Sequence, residues 1–190
     1  FVTFSFLWIT YLGSKLGEDY LAVNTILMQF IILAAFFLDA YAFSTEGLVG
    51  FTIGRKNKNS FLSVVQNSIQ ISFITALLIS FVYIFFFKQI INIFTDIEIL
   101  RYISFKHILW VIIIPPIASF CYQLDGIFIG ASQTKEMRNA MVISVVCFVI
   151  ISIFLVKHFS NHGIWFSLVC FMILRSLTLR FYFNKILRKF

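Results

Sequence analysis

The sequence predicts an all-α polytopic membrane protein, a bundle of apolar helices for which lipid is the main solvent. Three observations carry that expectation. Hydrophobic residues make up 61% and charged residues 12% of the 190 residues, and the mean hydropathy is +0.97; ordinary soluble domains are about 45–50% apolar and about 25% charged. The apolar residues fall in runs long enough to cross a bilayer, for which about 20 are needed. The basic residues lie in short clusters between those runs. In that arrangement a net charge of +7 reflects membrane topology, not a nucleic-acid surface, so the bilayer is the expected partner and nucleic acid is not. Cys121, Cys147 and Cys170 stand alone within apolar runs and read as small buried hydrophobes, neither a disulfide set nor a metal site.

One partial and five complete spans are predicted. The opening run, 1–12, is too short to cross. It has no basic n-region and no small-residue cleavage site, so it is not a signal peptide. It reads as the remainder of a transmembrane helix, with an N-terminal part of the protein missing. Residues 13–19 read as a turn. The second span, 20–54, is longer than a bilayer requires and must tilt, bend or project into water. A basic polar loop, 55–60, leads to the third span, 61–87, whose first half is polar on one side through Gln66, Asn67 and Gln70. Residues 88–106 contain an amphipathic piece with Asp96, Glu98 and Arg101, expected to lie along the interface. The fourth, fifth and sixth spans are 107–131, 137–156 and 161–183, and a basic tail of Lys185, Arg188 and Lys189 follows. Thr134 reads as the N-cap of the fifth span, with Glu136 favoured by the helix dipole.

Strict alternation of these spans puts nine Lys and Arg on one side (Arg55, Lys56, Lys58, Lys135, Arg138, Arg180, Lys185, Arg188, Lys189) and five on the other (Lys15, Lys88, Arg101, Lys106, Lys157). The richer side, which holds the C-terminus, is expected to be cytoplasmic. The fourth span carries the only two prolines, Pro115 and Pro116. Each removes a backbone hydrogen bond and crowds the preceding turn, so the span is expected to bend or unwind there, as a static kink or as a moving hinge. Gly126 and Gly130, four apart further along the same span, let a neighbouring backbone come close and complete the hinge candidates.

Four ionisable residues fall inside apolar spans: Asp39, Glu46, Asp125 and Arg175. An acid in hydrocarbon costs about 2.5–3.5 kcal/mol on insertion scales, so such residues mark function by default. Asp39 and Glu46 are seven apart and share a helical face, to which Asn24 and Thr25 project nearly as well. That stripe should face a cavity or a partner helix. Cys121, Tyr122 and Ser132 share the face of Asp125, and Gln123 points elsewhere. Leu38-Asp39-Ala40 and Leu124-Asp125-Gly126 resemble each other, and each has glycines four apart nearby (Gly50 and Gly54, Gly126 and Gly130). Two acids at like positions fit a lobe built round a shared polar cavity. Asp125 is read either as a structural helix-end hydrogen-bonding group or as a carboxylate that binds a cation or a proton. Asp39 and Glu46 are further coupling candidates, Glu46 also being placed to sit at the cytoplasmic interface. Arg175 is expected to snorkel to the cytoplasmic headgroups, ahead of a pairing with Glu46 or Asp125. The cavity-lining candidates are Asn24, Thr25, Gln66, Asn67, Gln70, Tyr41 and Tyr122. No metal site is assigned.

The stretch Leu-Asp-Gly-Ile-Phe-Ile-Gly-Ala-Ser-Gln-Thr-Lys-Glu-Met-Arg-Asn-Ala-Met at 124–141 resembles the DinF-like branch of the MATE (multidrug and toxic compound extrusion) transporters. Leu38-Asp39-Ala40-Tyr41-Ala42-Phe43 with Glu46-Gly47-Leu48-Val49-Gly50, and Trp110 ahead of Ile114-Pro115-Pro116, are similar to that branch as well. The resemblance covers most of the chain. It implies the six-helix C-terminal lobe of a two-lobed, twelve-helix carrier in a bacterial inner membrane, starting within the seventh helix, with an N-terminal lobe to complete it. It implies export of amphipathic or cationic small molecules in exchange for Na⁺ or H⁺ by alternating access, with no cofactor beyond the coupling ion. Asp125 falls where some members carry an acid implicated in cation coupling. The acid that Na⁺-coupled members carry in the seventh helix has no counterpart in 1–12. One lobe alone is expected not to transport. The alternative within the same superfamily is a flippase of lipid-linked oligosaccharides, which should need more basic residues in the cavity than Arg175. An enzyme is not expected. Asp125-Gly126 would suit a phospholipid-headgroup transferase, but no Asp or Glu follows Glu136, and neither His-Glu-x-x-His nor a buried Ser/His pairing is present.

Overall fold

A computed structural model describes residues 2–190. Among the described residues there are seven helices and no strand: α1 (Val2–Leu16), α2 (Glu18–Gly54), α3 (Lys58–Phe94), α4 (Glu98–Lys106), α5 (Ile108–Gly130), α6 (Thr134–Phe159) and α7 (Asn161–Leu187). Five of them, α2, α3, α5, α6 and α7, are long and apolar enough to cross a membrane. The chain is a polytopic helical bundle, as expected. Large apolar side chains such as Phe36, Phe43, Phe81, Phe154 and Phe181 cover its outside, as a surface solvated by hydrocarbon requires.

The helices exceed several predicted boundaries. The turn predicted over 13–19 shrinks to Gly17 alone, whose φ of 121° ends α1 and starts α2; only glycine takes that conformation readily. α2 and α3 each have 37 residues, about 55 Å at 1.5 Å per residue, against a hydrocarbon core of about 30 Å. α3 starts at Lys58 because the Asn57 side chain accepts from the Ser60 N–H at 3.0 Å, a cap for an otherwise orphan donor. It continues past Phe87 because Phe87 and Ile91 stay buried on one side while Lys88 and Gln89 face outward. α6 begins at Thr134 itself. Gln133 occupies the cap position and makes no side-chain bond, so the N-cap assigned to Thr134 is corrected. Glu136 does sit in the first turn of α6, where it pairs with Lys185 at 3.0 Å. α4 is the expected amphipathic piece, with Leu100 and Ser104 buried. Arg101 folds back to donate to the Thr95 carbonyl at 2.8 Å, to Asp96 at 2.9 Å and to the Asn92 carbonyl at 3.5 Å, closing the connection from α3.

Pro115 and Pro116 do not unwind α5, which runs unbroken from Ile108 to Gly130. Pro116 has no N–H for the Ile112 carbonyl four residues back, and the Ser80 hydroxyl of α3 donates to that carbonyl at 2.7 Å instead. A neighbouring helix thus takes up the acceptor that the proline strands. Glycines set the closest approach. A methyl group at Gly126 would collide with the Ala42 carbonyl, and one at Gly130 with the Glu46 carbonyl. The backbones of α2 and α5 touch there. Both glycines therefore have a packing role within a continuous helix.

A hydrogen-bonded chain ties the end that carries Gly17, α4 and Ser160. Trp165 Nε1 donates to Asn24 Oδ1 at 3.0 Å, Asn24 Nδ2 donates to Asn161 Oδ1 at 2.7 Å, and Asn161 Nδ2 meets His107 Nε2 at 3.1 Å. His107 Nδ1 lies 2.8 Å from the Ile103 carbonyl. The neutral His107 tautomer with its proton on Nδ1 satisfies every member. Asn24 thus points to α7, whereas Thr25 is exposed and bonds back to the Leu21 carbonyl at 2.9 Å. Asn24 and Thr25 do not continue the polar stripe of Asp39 and Glu46; one residue step is 100° of rotation, enough to separate core from surface.

Two substitutions test this packing. Gly126→Val should lower the stability of the detergent-solubilised protein by about 1–3 kcal/mol or more through overpacking, read as a fall in thermal midpoint. Asn161→Ala should cost about 1–3 kcal/mol by stranding Asn24 and His107 in the interior, while Thr25→Ala should leave the midpoint where it was.

Candidate functional site

The buried core is two apolar clusters. One holds Leu38 of α2, Ala118 of α5 and Met172 of α7; the other holds Val49 of α2, Leu124 and Ile127 of α5, and Leu179 of α7. Between these anchors each of the three helices carries polar residues among apolar ones: Asp39, Tyr41 and Thr45 on α2, Cys121, Tyr122 and Gln123 on α5 with Asp125 just beyond, and Arg175 and Ser176 on α7. A polar layer therefore crosses the bundle between two greasy halves.

At its centre Arg175 Nη2 donates to Asp125 Oδ2 in a short ion pair between α7 and α5. The two residues are 6% and 9% exposed. Arg175 thus does not snorkel to the headgroups, as had been expected. Its position in the middle of α7 leaves no short route to either helix end, and the buried carboxylate opposite offers charge compensation instead. The pairing is one-armed. Asp125 Oδ1 and Arg175 Nε have no hydrogen-bond partner, although an Arg–carboxylate pair can use two parallel bonds.

Around the pair, Asp39 lies within electrostatic reach of both Arg175 and Asp125, Tyr122 within reach of Asp39 and the pair, and Cys121 contacts Ser176 and Arg175. Gln123 is fully buried, and its side-chain amide lies 2.8 Å from the Thr45 hydroxyl, which also meets the Tyr41 carbonyl at 2.8 Å. Gln123 was expected to point elsewhere than Asp125, and it does face α2, but it belongs to the same layer. Ser132 was placed on the Asp125 face. It lies beyond the end of α5 in an exposed turn, with φ 54°, and takes no part.

The remaining candidates scatter. Tyr41 sits at the rim of the layer, its hydroxyl accepting from Thr75 of α3 at 3.1 Å. Glu46 borders an open hollow of about 470 Å³ with Phe43, Gly47 and Gly50. Gln66, Asn67 and Gln70 lie on the exposed side of α3, outside the buried layer. The layer is therefore built on α2, α5 and α7, with only Thr75 from α3, where the sequence pointed to the second, third and fourth spans. α7 was missed because a lone arginine in an apolar run near a basic tail looks like an interfacial anchor. Its distance from the helix end, Arg175 to Leu187, was the signal available.

A family model described as MatE matches residues 1–156. The chain belongs to the MatE family. It is 34% identical over 171 residues to DNA damage-inducible protein F of Escherichia coli (strain K12), covering 90% of this chain and 37% of that protein. It is 23% identical over 177 residues to Protein DETOXIFICATION 43 of Arabidopsis thaliana, covering 93% of this chain and 34% of that protein. The chain thus spans about a third of the length of the curated relatives it matches. The similarity to the first relative bears out the expected DinF-like placement. MatE membership and the five apolar helices make this a multi-pass membrane protein, and the family is one of transporters and not of enzymes.

The ion pair yields a stability test. Removing one member strands a buried charge, so Asp125→Asn or Arg175→Gln alone should destabilise by about 3–5 kcal/mol. The double variant Asp125→Asn with Arg175→Gln should recover most of that loss. Thermal unfolding of the three variants in detergent reads the difference.

Proposed function

We propose that this chain is one lobe of a two-lobed, cation-coupled exporter in a bacterial plasma membrane, with Asp125 as its coupling carboxylate and its C-terminus in the cytoplasm. The observation that carries this reading is the buried Asp125–Arg175 pair in a polar layer between two apolar clusters. Charges are kept in such a place at high desolvation cost, and a carrier uses them to exchange one positive partner for another. MatE membership and the similarity to Protein DETOXIFICATION 43 support the transport class. The coupling ion is Na⁺ or H⁺, and the cargo is an amphipathic or cationic small molecule.

In this reading the ends of α2, α3, α5, α6 and α7 alternate across the bilayer, and nine basic residues fall on the side of the C-terminus against five on the other. That side is cytoplasmic by the charge rule. A second lobe completes the cavity, and the exposed Gln66, Asn67 and Gln70 of α3 and the hollow beside Glu46 line it from this side. Asp39 supplies a second negative group at the rim of the layer. Arg175 is neutralised by Asp125, which leaves no free interior cation among the described residues to hold a pyrophosphate-linked lipid. That favours export of cations over oligosaccharide flipping.

Asp125→Asn in the complete transporter, at matched membrane abundance, should lower cellular resistance to cationic dyes and drugs to about the level of cells without the protein. The double variant with Arg175→Gln should restore the fold and not the resistance. Undiminished resistance in Asp125→Asn would remove Asp125 from the mechanism.

A further inference from the structure

We infer that Arg175 is a tethered competitor of the transported cation: its guanidinium holds the Asp125 carboxylate between cation-binding events and must be displaced for a cation to bind. The inference rests on the coupling role proposed for Asp125 and adds a second residue with a distinct task. Three features of the pair carry it. The guanidinium uses a single nitrogen, Nη2, on a single oxygen, Oδ2. Both unused atoms that a two-armed pair would join, Asp125 Oδ1 and Arg175 Nε, are buried without a hydrogen-bond partner. A permanent structural bridge would be expected to satisfy these groups, because each buried orphan costs about 1–3 kcal/mol. The third feature is that the two members stand on different helices, Asp125 on α5 and Arg175 on α7, joined at this point only by that one bond between their side chains. The two charges can therefore part through a change of the long arginine side chain's rotamer.

The charge balance explains why such a competitor is useful. An empty carboxylate in this layer would be an uncompensated buried charge, and the site would resist losing its cation. With Arg175 at hand, the Asp125 carboxylate is compensated in both states, by the visiting cation or by the tethered one. The charged and titratable groups that face the exchange are Asp39 from α2, Cys121 and Tyr122 from α5 and Arg175 from α7.

The test uses the full-length protein in proteoliposomes, ethidium as cargo, and a sodium or a proton gradient imposed separately. The quantity read is the cation concentration that gives half-maximal ethidium movement, together with the maximal rate. For Arg175→Gln the half-saturating concentration of the driving cation should fall about tenfold or more, as loss of a charge-assisted bond implies, and the maximal rate should fall with it, because nothing expels the bound cation. Arg175→Lys, a point charge without the planar fork, should lie between that variant and the wild type. A purely structural arginine would lower the rate and leave the half-saturating concentration unmoved, and that result overturns the inference. If Arg175→Gln fails to assemble, Arg175→Lys decides, with an unmoved half-saturating concentration again overturning it. Asp125→Asn separates the two readings. Export equal to wild type in that variant sinks the coupling role of Asp125; lost export combined with unmoved constants in both Arg175 variants sinks only the competitor role.

Discussion

The structure depends on keeping one carboxylate away from water and lipid at once. Asp125 cannot remain charged inside the bundle without a positive neighbour, and the neighbour it has, Arg175, comes from a helix fifty residues further along the chain. That requirement fixes the side of α7 that turns inward. It also explains why a layer of hydroxyl, amide and thiol groups interrupts the apolar core of α2, α5 and α7 at one level. The clusters above and below that level hold the three helices in register, so that Thr45 meets Gln123 and Arg175 meets Asp125.

Two kinds of close contact keep the layer in place. On one side, α5 lies against α2 with glycine at each crossing point, backbone against backbone. On the other, α6 and α7 turn back on each other at Ser160, where Gly163 rides directly over the Leu155 and Val156 backbone. Side-chain bonds then join the far ends: Trp8 of α1 to Ser152 of α6 at 2.9 Å, and the Asn24–Asn161–His107 chain across α2, α7 and α5. None of these contacts depends on lipid. They use small residues and polar side chains, which are what holds helices together where the hydrophobic effect between them is absent.

The class of fold, the number of spans and the Gly126 and Gly130 approach were legible in the sequence, because each follows from a local pattern: run length, hydropathy, and small residues four apart. Asp125 was legible as a buried acid for the same reason. What a one-dimensional pattern could not rank was the partner: the pairing of Arg175 with Asp125 stood behind an interfacial anchor and beside a pairing with Glu46. Arg175 lies in an apolar run ahead of a basic tail, and nothing local distinguishes an anchor from a buried counter-ion. Similarly, Asn24 and Thr25 are adjacent and polar, yet one is interior and the other is not, and only the packing of α7 against α2 decides which. Helix ends were misjudged where apolar content dropped before the backbone stopped being helical, as at Lys88, and where a glycine with positive φ did the work of a longer turn, as at Gly17.

The glycine crossing has a mechanical consequence. Two helices in which the carbonyls of one rest on the glycines of the other cannot roll or slide past one another, since any sideways step brings a Cβ into a peptide. α2 and α5 must then travel as one rod. The hairpin of α6 and α7 is a second rod, and α5 and α6 have little surface in common. The seam between the two rods runs along α7, with apolar packing on either side of the layer where Arg175 reaches across to Asp125, so any relative motion has to break or carry that charged contact.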